Sequence, residues 1–211
     1  MKKGFTLARG VTHVDMPPVH AKAGFTLAEI LITLGIIGIV AAMTIPALNT
    51  NIRRKTASAR LKTFYSTMKQ MLLLAEDNYG SVNDWDTSLP YPEFLERYFL
   101  AFLKGSKSSV NNKIYFVNGT SLTIGKGRCM DLIYDINSDT SPNKAGYDQF
   151  RFLICDRSIT EWCADEGFCT YRTNGTKNNR PVLLSKCKTN PWYCSALLEQ
   201  DHWEFPPDYP W

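Results

Sequence analysis

Six cysteines, Cys129, Cys155, Cys163, Cys169, Cys187 and Cys194, carry the most evident chemistry of this sequence. An even number confined to the last part of a chain reads as disulfides formed in an oxidising compartment. Fifteen pairings are open to six cysteines, and spacing does not choose among them. Zinc or redox chemistry fits less well, because no Cys-x-x-Cys pair occurs and the only histidine after His20 is His202. Asp135, Asn137 and Asp139, at alternate positions, could ligate calcium through oxygen. The stretch departs from an EF-hand loop: Thr140 stands where glycine belongs, and no glutamate closes it. A long turn whose Asx side chains bond the backbone accounts for the same residues and is favoured over calcium. No Gly-x-Ser-x-Gly, phosphate loop or histidine pair lies beyond residue 20, so the expectation is not an enzyme but a substrate of enzymes.

A different chemistry belongs to Glu29. It stands at the front edge of a stretch in which Thr33 and Thr44 are the only polar side chains from Ile30 to Leu48, and the next charge is Arg53. A run of this length matches the roughly 20 residues, at about 1.5 Å each, that cross a bilayer. A carboxylate at the edge of such a helix asks for a partner. Cleavage of the chain at Gly24/Phe25 would free an α-amino group on Phe25, mostly cationic at neutral pH. Taken alone, Glu29 fits a membrane-interface glutamate facing water or headgroups; in a stack of these helices it could instead neutralise Phe25 of a neighbouring subunit, which would fix the register of assembly.

Charge is distributed to match. Of the formal net charge of +4, residues 1–24 carry +3, with Lys2, Lys3, Arg9 and Lys22 against Asp15. Basic residues therefore precede the apolar run, yet no small-x-small cleavage site follows it, so this is not an ordinary secretory signal. Gly4-Phe5-Thr6-Leu7-Ala8 repeats Gly24-Phe25-Thr26-Leu27-Ala28, but Arg9 replaces the glutamate and no apolar run follows. The first copy cannot continue into a membrane helix. Arg53, Arg54, Lys55, Arg60 and Lys62 follow the run closely, and by themselves favour a cytoplasmic location for that side. The cysteines and the leader argue for the reverse.

Gly24-Phe-Thr-Leu-Ala-Glu29 with its apolar run resembles the N-terminus of type IV prepilins and type II secretion pseudopilins. The resemblance covers about 25 residues and is specific. It implies that a membrane prepilin peptidase cuts after Gly24 and that Phe25 becomes the N-methylated first residue. It implies an assembly role for Glu29, and it places Pro46 where the family often has a helix-breaking proline. Asp135-Ile-Asn137, Pro142-Asn143 and Gly146-x-Asp148-x-Phe150, with the Trp203…Asp208-Tyr-Pro-Trp211 ending, are similar to stretches in bacterial pseudopilin-like proteins. Some major pseudopilins bind calcium in a loop of this domain, which keeps that option attached to Asp135, Asn137 and Asp139.

The elements that must carry these residues follow from periodicity. Pro46 lacks a donor and crowds the preceding turn, which predicts a kink or a melted turn near residues 43–46 rather than a stop. Leu61, Tyr65, Met68, Leu72, Ala75 and Tyr79 recur at helical spacing, and Gly80 ends the helix. Pro92 opens a predicted helix over 93–104, and 106–112 reads as a polar linker. Residues 114–117 and 120–124 around Asn118-Gly119 read as a hairpin. Strands are predicted over 128–136 and 149–155, then short strands and loops held by bridges over 157–188. A short helix is expected from Cys194 to Gln200, and the aromatic, proline-rich tail suits a surface groove. Asn118-Gly119-Thr120 and Asn174-Gly175-Thr176 are glycosylation-type triplets, for which the turn reading suffices.

The expected fold is therefore α+β: a long kinked N-terminal helix on a small antiparallel sheet, with disulfide-stabilised C-terminal loops. The expected organisation is a leader (1–24), a transmembrane and assembly helix (25–48), its amphipathic continuation (49–80) and an extracytoplasmic globular domain (81–211). The expected function is a structural subunit of a type IV pilus or type II secretion pseudopilus. It sits single-pass in the bacterial inner membrane, N-terminus in, before entering a surface or periplasmic filament. Its partners would be other subunits, prepilin peptidase, the inner-membrane assembly machinery and lipid. A minor pilin or tethered module that recognises DNA or a secreted protein is the alternative.

Overall fold

The computed structural model describes residues 24–159, 161–163, 166–172 and 179–210. The leader with its partial copy at Gly4–Arg9, and the Asn174-Gly175 turn, lie outside the described residues. Two compact units divide the chain, one ending at Pro46 and one spanning Ala47–Trp211. A helix, α1, is assigned without a break over Leu27–Tyr79 and belongs to both.

In the first unit the helix carries its apolar side chains outward. The large aliphatic residues from Leu31 to Ile45 are all more than half exposed, and the most apolar 18-residue window has mean hydropathy 2.3. Thr33 and Thr44 donate their hydroxyls to the carbonyls of Ile30 and Val40, each at 2.9 Å, so neither adds a free polar group to that surface. A water-exposed surface of this kind is unfavourable by about 25 cal/mol per Å² of apolar area. It calls for lipid or other helices around it.

The second unit is an antiparallel meander packed on the rest of α1. Its strands are β1 (Ser106–Val110), β2 (Lys113–Phe116), β3 (Ser121–Gly125), β4 (Cys129–Asp135), β5 (Gln149–Cys155) and β6 (Phe168–Thr170), hydrogen-bonded in sequence order. Alternation puts Met130, Leu132, Tyr134, Phe150, Phe152 and Ile154 on one face, where they meet Leu61, Phe64, Met68 and Leu72 of α1. Phe64 stacks on Tyr134 with ring centroids 3.9 Å apart. Of the predicted stripe on α1, Leu61, Met68, Leu72 and Ala75 are buried. Tyr79, by contrast, is 42% exposed and packs edge-on against Tyr98.

Local differences from expectation have local causes. The stretch read as a polar linker contains β1, an edge strand whose side chains are mostly exposed. Such a strand needs no apolar alternation and is recruited by pairing with β2. The helix after Pro92, α2, is short (Tyr91–Leu95) and continues as a wider π-type turn to Leu100, not to residue 104. In the β2–β3 hairpin only Gly119 has positive φ. Asn118 instead accepts bonds from the amide and hydroxyl of Thr120, so the loop is not the two-residue mirror turn. The region expected to be strands and loops contains a helix, α3 (Arg180–Thr189), opened by Pro181 and by Asn179, whose side chain caps the Val182 amide at 3.3 Å. The helix α4 spans Cys194–Gln200 as expected.

The disulfides are Cys129–Cys155, Cys163–Cys169 and Cys187–Cys194. The first joins directly opposed residues of β4 and β5. The third staples α3 to the start of α4. The second closes a loop over the outer face of the sheet, where Leu153, Cys155 and Ile159 form a smaller apolar cluster.

Candidate functional site

The Gly24–Glu29 segment is built around Thr26. Gly24, Phe25 and Thr26 precede the helix, and the Ile30 amide makes its first backbone bond to the Thr26 carbonyl at 3.2 Å. The Thr26 hydroxyl accepts from the Glu29 amide at 3.3 Å. Glu29 reaches back, and its Oε2 accepts from the Thr26 amide at 2.8 Å and hydroxyl at 2.7 Å. This is a capping box, in which the first residue and the third helical residue satisfy each other. The Thr26-x-x-Glu29 spacing is the sequence signature of this box. Only Oε2 is engaged in these bonds, so Oε1 retains its lone pairs. Phe25 is 85% exposed. A Cβ built on Gly24 would meet nothing within 4 Å, so folding does not demand glycine there.

The oxygen-rich loop is the second site weighed from sequence. Burial raises the Asp135 carboxyl above the usual carboxylate range, against bonds from Gln149 and the Asn137 amide that favour its charge. The Asn137 side-chain nitrogen donates to the Thr140 and Ser141 carbonyls. Asp139 faces away to Lys113, 2.5 Å distant, which holds its carboxyl below the ordinary value. Asp148 accepts from the amides of Asn143 and Lys144. The three residues expected to share a calcium ion thus each have protein partners, and they form the Asx-bonded turn that was the alternative. The Asn137 Oδ1 is buried without a hydrogen bond. Among the described residues no group of three His, Cys, Asp or Glu side chains is placed to hold a metal.

Other elements converge on this loop. The Arg53 guanidinium lies 3.6 Å from the centre of the Tyr147 ring and donates to the Tyr147 carbonyl at 3.0 Å. Arg60 donates to the Ile136 carbonyl, and to that of Asn118 at 3.1 Å. From the C-terminal tail, buried Tyr209 donates its hydroxyl to the Gly146 carbonyl at 2.6 Å. Arg180 clamps the same tail through Asp208 at 2.8 Å and Asp201 at 2.6 Å. The tail therefore lies in a groove of its own domain.

A buried polar network joins α1, β6 and α4. Glu199 accepts from Tyr65, Thr170 and Arg172 at 2.5–2.6 Å, and Arg172 also pairs with Glu166 at 2.9 Å. Burial and the neighbouring Glu199 push the Tyr65 phenol upward. Each member is satisfied by another, as a network that fixes one packing arrangement requires. It offers no nucleophile activated by a base.

An N-terminal processing segment before an outward-facing apolar helix, with the helix continuing onto an antiparallel disulfide-bonded domain, defines a pilin-type subunit. Residues 19–45 match the prokaryotic N-terminal methylation motif. The chain belongs to the family described as "Family of unknown function (DUF6613)", which matches residues 47–211. The comparisons found no match among curated proteins or among solved structures. With its methylation motif the chain carries a type IV pilin-like, prepilin-type N-terminal signal, which supports a pilin-type subunit.

Proposed function

We propose that this chain is a filament subunit of a type IV pilus or type II secretion pseudopilus. In this reading it is stored in the bacterial inner membrane with its C-terminal domain outside the cytoplasm. Prepilin peptidase cuts between Gly24 and Phe25, and Phe25 is N-methylated. The 25–48 helix then leaves lipid for a stack of equivalent helices, while the 49–80 helix and the 81–211 domain remain folded. The observation that carries the reading is the methylation motif over residues 19–45, which takes in a helix whose large apolar side chains are exposed from Leu31 to Ile45. Gly35 and Gly38 support it. Each costs a helix about 1 kcal/mol relative to alanine, and neither has a neighbour within 4 Å of a built Cβ in its own chain. Small residues of this kind permit close helix approach. Pro46 lies within the unbroken α1 helix, so no turn is melted at residues 43–46 as one of the two sequence expectations had it.

Glu29 has a divided role. Its Oε2 holds the cap, and its Oε1 is left to accept the Phe25 ammonium of a neighbouring subunit. Edman or mass-spectrometric sequencing of the mature protein yields methylated Phe25 first; a chain that begins at Met1 or Phe5 refutes the processing step. Glu29→Ala leaves cleavage intact and abolishes filaments. Filaments of normal length from that variant would remove the pairing as the source of register.

A further inference from the structure

The sheet face turned away from α1 carries a concavity. It has a volume of about 220 Å³ and is bounded by Arg128, Asp131, Arg151, Leu153, Trp162 and Tyr171. At about 30 Å³ per water this is room for roughly seven waters, the scale of one six-membered ring with its substituents. It is below the range of larger organic ligands.

The wall chemistry is asymmetric. Trp162 and Tyr171 pack on the small apolar cluster around Leu153 and the Cys163–Cys169 bridge, and both remain half-buried. Their ring centroids are 6.1 Å apart with planes inclined by 31°. No ring fits between them, so an occupant lies against the pair. Asp131 and Arg151 line the same concavity, joined at 2.5 Å yet 43% and 26% exposed, so both keep free acceptor and donor positions. The Arg151 guanidinium is also 4.4 Å from the Tyr171 ring centre. Arg128 is exposed and makes no ion pair among the described residues. The rim therefore carries two guanidiniums against one carboxylate.

We propose that this concavity binds one pyranose unit bearing a carboxylate, a sugar of the uronic acid type. A pyranose has an apolar C–H face and a polar edge. The C–H face fits the electron-rich face of Trp162, beside the Arg151-covered ring of Tyr171. The adjacent hydroxyls fit the Asp131–Arg151 pair, which offers an acceptor beside a donor. The carboxylate fits Arg128, whose planar fork matches it in two hydrogen bonds. A neutral sugar leaves the excess positive charge of the rim unanswered.

The test uses the full processed chain in a zwitterionic detergent, because maltoside detergents present sugar headgroups of their own. Saturation-transfer NMR and titration are run with methyl glucuronide and methyl glucoside. The glucuronide should saturate in the millimolar range and bind about tenfold more tightly than the glucoside. Arg128→Met, at an exposed rim position, should bring the glucuronide down to the level of the glucoside without moving the thermal midpoint. Trp162→Ala should abolish saturation transfer from both sugars. Absence of saturable glucuronide binding, equal affinity for the two sugars, or unchanged binding by Arg128→Met overturns the proposal. The last two results would give the concavity to a neutral group or to a side chain of a neighbouring subunit.

Discussion

Removing the disulfides one at a time should separate chain entropy from packing in this domain. The bridges close intervals of 26 residues (Cys129–Cys155), 6 residues (Cys163–Cys169) and 7 residues (Cys187–Cys194). If each acts by restricting the unfolded chain, the relation between loop length and entropy gives about 3.5 kcal/mol for the first and about 2.2–2.4 kcal/mol for each of the others. For a unit of this size that corresponds to losses of about 7–14 °C for the first and about 4–10 °C for each of the others in thermal midpoint. The native state should tolerate loss of the first bridge, because β4 and β5 are paired along seven residues on each strand, Cys129–Asp135 with Gln149–Cys155. The assay is urea unfolding of the full chain in detergent, with Cys129→Ala/Cys155→Ala compared with the two other double variants. A midpoint lowest for the Cys129/Cys155 variant is expected, with a slope at least as large as those of the other two because its unfolded chain is the least restrained. If Cys187→Ala/Cys194→Ala is the more damaging, the reasoning fails. Packing at those two fully buried sulfurs would then outweigh loop closure.

Three further tests address single features. Thr26→Val removes the hydroxyl half of the capping box, worth about 1 kcal/mol at an N-cap, so filament yield should fall about fivefold while cleavage proceeds and Thr26→Ser restores it. Yield unchanged by Thr26→Val would show that the cap does not prepare Glu29. Asp156 accepts hydroxyl bonds from Ser158 and Ser81, which hold its carboxyl down to about 2. Because its folded value lies below an unfolded value near 4, its contribution is full above about pH 4 and is lost as pH falls through about 2. Urea midpoints measured from pH 7 to pH 2 should therefore fall less steeply for Asp156→Asn than for the parent, and parallel curves contradict the assignment. In the Asp135–Asp148 loop, Lys113 pairs with Asp139, and Arg53 and Arg60 donate to the Tyr147 and Ile136 carbonyls. Millimolar calcium should shift the thermal midpoint by less than about 1 °C relative to EDTA, and a saturable rise specific to calcium would assign Asn137 Oδ1 and Asp135 to a bound ion.

Much of the architecture could be read in the sequence because its signals were local and redundant. The apolar run, the helical stripe through Leu61, Met68 and Leu72, and the alternation in β4 and β5 each repeat several times within one element. What escaped was set by partners distant in the chain. Residues 106–110 have no apolar alternation because one edge of β1 is open, and β2 alone determines that they form a strand. Disulfide pairing was beyond spacing because Cys129 meets Cys155 only through the β4–β5 register. The capping box was a different omission. The residues were read correctly, but the apolar context turned attention to a partner outside the chain and away from the amide three residues back.

The basic residues behind the apolar helix illustrate how a fold changes the meaning of a sequence signal. Counted as free charges, Arg53 and Arg60 oppose an extracytoplasmic domain. In the folded unit their guanidiniums are part-buried donors to backbone carbonyls of the Asp135–Asp148 loop and the β2–β3 hairpin, and Arg53 is stacked on Tyr147. That loop also receives the hydroxyl of Tyr209, so one turn holds both α1 and the C-terminal tail. A guanidinium committed in this way serves as a hydrogen-bonding strut, and its charge is spread over carbonyl dipoles and an aromatic face. The residues that appear to violate the charge rule for membrane topology are thus those that attach the helix to its domain. For Arg53 and Arg60, presence directly after the apolar segment follows from where the domain begins, whereas Lys55 and Lys62 of the same cluster stay exposed.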